Sequence, residues 1–179
     1  MPRLPTPGKT RRYRSRLEHA PAPVALIAVP VASVMLGSLM TALPVVATAP
    51  VLPPFGLLLL LGWRMLVRDL WPVWAPLPLG LFDDILSGQP IGSAAASWTM
   101  VFLVIDLFDR RMMWRDYKQD WALAALLVGA ALSAGLAIAN ATGGDTAWPV
   151  ILPQILLSAL VFPLIVRICA GLDRLRWRL

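Results

Sequence analysis

The charged residues of this chain are confined to a few short blocks. Asp, Glu, Lys and Arg are absent from 19–63, 70–82, 85–105, 121–144 and 146–166. The hydrocarbon core of a bilayer accepts about 20 apolar residues per helix, and several of these blocks are close to that length. Overall, 58% of the 179 residues are apolar and 15% are charged, against about 25% charged in ordinary soluble domains. So few charges cannot coat the surface of a water-soluble monomer of this size. The pattern predicts an all-α integral membrane protein.

Six helices follow from the order of blocks and breakers, over 22–43, 55–67, 72–86, 92–108, 121–140 and 148–170. Pro30, Pro153 and Pro163 are expected to kink the first and last, which bilayer helices tolerate when neighbours satisfy the freed carbonyl. Ser33, Gly37 and Thr41 recur every four residues, a small-residue stripe that admits a second helix at close range. Pro44, Pro50, Pro53 and Pro54 punctuate an uncharged connection. With six spans, the N-terminus, the connections near 64–71 and 110–120 and the C-terminus share one side. They hold six, two, four and four of the sixteen basic residues, and the opposite connections hold none. The positive-inside rule makes the basic side cytoplasmic. The expected organisation is a basic cytoplasmic tail over 1–20, a six-helix transmembrane domain over 21–172 and a basic cytoplasmic tail over 173–179.

Several function classes lack their residues. The single cysteine, Cys169, has no partner for an internal disulfide, and the single histidine, His19, lies in the basic tail. Cys/His zinc sites need three or four ligands, and a hydrolytic triad needs a histidine in the body of the protein. Neither a phosphate-binding P-loop nor a dinucleotide-binding glycine fingerprint occurs. No cofactor is expected. The positive charge sits beside the first apolar segment, so a membrane-flanking tail is expected rather than a nucleic-acid site; anionic lipid, at about 1 kcal/mol per basic residue, suffices to hold it, and a protein contact is the alternative. A cleaved signal peptide ending at Ala47-Thr48-Ala49 is disfavoured, because the apolar run before it far exceeds the usual h-region of about 7–15 residues.

Polar groups within apolar segments are the functional leads. The densest run is Gly80-Leu-Phe-Asp83-Asp84-Ile-Leu-Ser87-Gly88-Gln-Pro-Ile-Gly92. On a helix Gly80, Asp84 and Gly88 share one narrow face with Ser87 alongside, so a neighbouring backbone can approach and donate hydrogen bonds to Asp84. The small residues 93–97 open the next helix and can supply that surface. Asp83 points about 100° away, toward the interface or solvent. Three roles fit the acidic pair: a carboxylate capping backbone amides near Gly88 to Gly92, a contact for an assembly partner, or acid chemistry with Asp145 as the second carboxylate. The last is the weakest, since a dyad needs two carboxylates face to face and adjacent helix positions diverge. Gly143-Gly144-Asp145 reads more simply as a turn, and Gln154 and Ser158 are placed to bond across a helix interface.

The run from Gly80 to Gly92 resembles the motif region of the bacterial rod shape-determining protein MreD family, with Asp84 at the acidic position and Gly80, Gly88 and Gly92 as its glycines. Chain length, six short helices, a basic inter-helix loop and a basic terminus fit the same family; the adjacent Asp83, the proline-dense third segment and the long basic N-tail depart from it. The resemblance implies a non-enzymatic inner-membrane scaffold of the cell-elongation machinery, with Gly80, Asp84, Ser87, Gly88 and Gly92 as its partner or packing motif. Implied partners are an MreC-like periplasmic protein, an MreB-like cytoskeleton, and RodA with its transpeptidase. The family is also similar in outline to substrate-binding subunits of energy-coupling-factor transporters. The alternative is therefore a membrane subunit that binds a vitamin-type small molecule, with Asp83, Asp84, Gln89, Asn140 and Asp145 as candidate polar contacts.

Overall fold

A computed structural model describes residues 23–41, 52–111 and 117–177; the basic N-tail, most of the proline-rich connection and the centre of the loop before residue 117 lie outside them. The described residues form helices α1 (Pro23–Thr41), α2 (Phe55–Leu66), α3 (Pro76–Ser87), α4 (Ser93–Arg111), α5 (Tyr117–Ala141) and α6 (Leu152–Arg176), with a 3₁₀ turn over Trp148–Ile151. No strand occurs among them.

The helix order in space follows from which faces are apolar. In α2, Gly56 to Arg64 are all buried, as expected of a helix apolar around its whole circumference. Contacts run α1 to α3, α3 to α4, α4 to α5, α5 to α6 and α6 back to α1, closing a ring of five helices around α2. Gly37 admits α2 against α1, since a Cβ there would lie 2.6 Å from Leu59 Cδ1 and 3.0 Å from the Phe55 backbone. Ser33 on the same stripe accepts a 2.8 Å hydrogen bond from Trp63 Nε1. Cys169 of α6 is fully buried with Sγ 3.9 Å from Leu59 O.

The outward faces of the ring are apolar. Leu77, Leu81 and Ile85 line the exposed face of α3, and Leu152, Leu156, Leu160, Leu164 and Ile168 that of α6. Two helical stretches, Tyr117–Ala141 and Trp148–Arg176, are long and apolar enough to cross a membrane. By contrast α2 and α3 have 12 residues each. At 1.5 Å per residue they are about 18 Å long, shorter than a hydrocarbon core of about 30 Å.

Three expectations change. The third helix starts at Pro76, because Trp71 to Ala75 form turns. Pro153 occupies the first turn of α6, where a missing N–H leaves nothing unsatisfied; helical structure continues through Pro30 and Pro163. The sixth helix runs past its expected end at 170 to Arg176, with Arg174 and Arg176 in its last turn complementing the helix dipole.

The two ends of the bundle differ in charge. At one end Arg64, closing α2, lies 3.2 Å from Asp109 and 3.9 Å from Asp106 of α4. Arg176, 4% exposed, stands 5.3 Å from the Trp63 ring centroid and donates to Leu26 O of α1 at 2.9 Å. At the other end the 88–92 turn, the 142–147 loop and the residues preceding α2 carry no Lys or Arg.

Candidate functional site

The turn between α3 and α4 is built around one carboxylate. Asp84 is 1% exposed. Its Oδ1 accepts from the Ala94 N–H at 2.8 Å and the Ser93 hydroxyl at 2.9 Å. Its Oδ2 accepts from the Gly92 N–H at 2.9 Å and the Ala95 N–H at 3.3 Å. The first amides of a helix have no intrahelical partner and carry the positive end of its dipole. A carboxylate reaching back from the preceding helix satisfies several of them together, and such charge-assisted bonds are about twice as strong as neutral ones.

The glycines around Asp84 make this geometry possible. A Cβ on Gly80 would lie 2.6 Å from Ala95 Cα and 2.7 Å from Ala95 N, so only a residue without one lets α3 reach the α4 backbone. Gly88 ends α3 with φ 67° and ψ 16°, the left-handed C-terminal cap that favours glycine. Gly92 has φ 97°, which turns its N–H toward Asp84. Ser87 is not drawn into this network: its hydroxyl is buried and has no hydrogen-bond partner among the described residues.

Asp83 corrects an expectation. It does not reach solvent but is 9% exposed, because the face of α3 adjoining Asp84's looks into the bundle. Ser38 of α1 lies beside it, in the space left by Gly56 of α2, although the Ser38 hydroxyl makes no hydrogen bond of good geometry among the described residues. Asp83 also borders a cavity of about 260 Å³. This cavity lies between α2, the α3–α4 turn, α4, α5 and the start of α6, with Trp98, Leu57 and Leu132 as apolar wall and Gln89, Ser93, Ser97 and Gln154 as polar wall.

Other candidates are placed elsewhere. Asn140 is occupied with its own loop, donating to Thr146 O at 3.0 Å and accepting from the Thr146 N–H at 3.1 Å. Asp145 is exposed in that loop. Gln154 bonds across elements, donating to Leu52 O at 2.7 Å, whereas Ser158 donates to Gln154 O of its own helix. The pairing of Arg64 with Asp106 and Asp109 was not anticipated. Its only sequence signal is that three charges closing two separate apolar helices fall at the same end of the bundle.

No family profile, curated protein or solved structure matches this chain.

Proposed function

We propose that the protein is a multi-pass inner-membrane component of the bacterial cell-elongation machinery, a non-enzymatic scaffold of the MreD type with six helical passes and both termini in the cytoplasm. The observation that carries this reading is the α3–α4 junction. The Gly80 to Gly92 run, on which the resemblance rests, forms one rigid hairpin in which Asp84 is fixed by four donors and Gly80 allows the helices to touch. A carboxylate so fully engaged suits a shape-holding part better than a reacting acid. The apolar outer faces of the ring support immersion in lipid, since contiguous apolar surface of that extent is costly in water. The short α2 and α3 fit a membrane protein whose passes cross as a packed bundle, with local thinning of the bilayer or snorkelling at modest cost. The Arg64–Asp109 pairing at the end shared with the basic connections supports a cytoplasmic face there.

An MreC-like periplasmic protein, an MreB-like cytoskeleton and RodA with its transpeptidase are the proposed partners. Replacing Asp84 with Ala is expected to reduce co-purification of the MreC-like partner more than replacing Asp83 with Ala. Equal retention by both variants contradicts a role for the hairpin in assembly. A second reading, a membrane subunit binding a vitamin-type molecule for transport, is favoured by the cavity beside Asp83. It predicts that loss of the protein abolishes uptake of one nutrient and leaves cell shape unchanged.

A further inference from the structure

The carboxylate that the hairpin leaves unused is Asp83, and its surroundings are selective. Among the described residues it forms no ion pair, and the end of the bundle where it sits has no Lys or Arg in its connections. A carboxyl group withdrawn from water in this way stays charged only where a cation offsets the lost hydration, and otherwise holds a proton.

The rest of the polar wall presents mostly lone pairs; only the side-chain amide of Gln89, whose oxygen lies 3.4 Å from the Ser93 hydroxyl, adds uncommitted N–H groups. The hydroxyl proton of Ser93 is committed to Asp84 at 2.9 Å, and that of Ser97 to Ala94 O at 3.1 Å. The amide nitrogen of Gln154 is committed to Leu52 O at 2.7 Å, which leaves its Oε1 as the acceptor. A hydroxyl oxygen that donates its one proton still accepts. A ligand entering here therefore meets one carboxylate, several acceptors and the amide of Gln89, with Trp98 beside them, 3% exposed. An anion is repelled by this set. A group with several N–H donors satisfies it, and the Trp98 ring adds attraction for a cation or an apolar body. The volume of about 260 Å³ falls just below the range of about 300–1,000 Å³ for drug-sized ligands, which sets the size at a single ring or a short alkyl chain.

We propose that this cavity is a binding site for a small primary ammonium compound with a compact apolar body, its ammonium seated on Asp83. The site stands independently of the assembly reading, because it requires only the isolated protein.

The test is calorimetric titration of the purified full chain in detergent, corrected against empty micelles, with 2-phenylethylamine and its neutral isostere 2-phenylethanol. The amine is expected to bind saturably at one site, and the alcohol at least tenfold more weakly. Asp83→Asn should lower the amine affinity at least tenfold and leave the alcohol unchanged. Gly135→Leu, which directs bulk into the cavity toward Gln89 from the far wall, should remove binding of the amine while keeping Asp83. If Asp83→Asn does not fold, the wild-type comparison and Gly135→Leu decide the question alone. Indistinguishable binding of amine and alcohol, or amine binding that survives Gly135→Leu, overturns the proposal.

Discussion

Asp84 concentrates more of the local stability than any other polar side chain in the α3–α4 hairpin. Replacing it with Ala removes an acceptor shared by three amides and one hydroxyl, in a site with little access to water. Loss of a helix N-cap costs about 0.5–2 kcal/mol, and a buried donor left without a partner costs about 1–3 kcal/mol. Asp84→Ala should therefore lower stability in detergent by at least about 2 kcal/mol on that basis, read as a fall in the thermal midpoint of tryptophan fluorescence. Asp84→Asn keeps one acceptor oxygen and should fall between the two; a midpoint equal to wild type for the Ala variant would contradict the capping role. This arrangement was legible in the residues, because Gly80, Asp84 and a run of small residues have the spacing a close approach requires. The fate of Asp83 was not legible. Helical spacing fixes its angle from Asp84, but only the placement of α1 and α2 decides whether that direction meets solvent or Ser38 and Gly56.

At the level of elements, contacts between helices are set by small residues at one end and by charge at the other. Gly80→Ala puts a Cβ 2.6 Å from the Ala95 backbone, which cannot yield as a flexible side chain would. It should cost about 1–3 kcal/mol, the usual penalty for overpacking. Gly171→Ala on α6 meets nothing within 4 Å and should be neutral or stabilising by up to about 1 kcal/mol through helix propensity. Comparison of the two thermal midpoints separates close packing from a general sensitivity to glycine replacement. Arg64→Met removes the cation between Asp106 and Asp109; Arg64 is 10% exposed and these partners 32% and 15%, so the cost should lie between the roughly 1 kcal/mol of a surface pair and the roughly 3–5 kcal/mol of breaking a buried one. A drop below about 1 kcal/mol, the worth of a surface pair, would show that water reaches this end freely. The middles of the helices were readable from the charge-free blocks, but their ends were not: α4 runs on through Asp106 and Asp109 to Arg111, α5 starts ahead of Lys118 and Asp120, and α6 continues past Arg167 to Arg176. Nor was the start of α3, since its prolines suit both a turn and a first helical turn.

For the molecule as a whole, a ring of five helices around a buried sixth explains why so few residues carry charge. The inner faces pack on α2 and the outer faces are apolar as well, so among the described residues charged groups remain near the ends of the bundle. The proposed sidedness is accessible to labelling. With the buried Cys169 replaced by Ser, a cysteine placed at Thr142 should react with an impermeant maleimide added to intact spheroplasts, and one at Lys118 should react only after permeabilisation. The reverse pattern would invert the topology. The proposed role in cell elongation is decided by depleting the protein in its own bacterium and imaging incorporation of a fluorescent D-amino acid along the lateral wall. Loss of lateral incorporation, restored by wild type and by Asp83→Ala but not by Asp84→Ala, is the predicted result. Unchanged incorporation after depletion would contradict it.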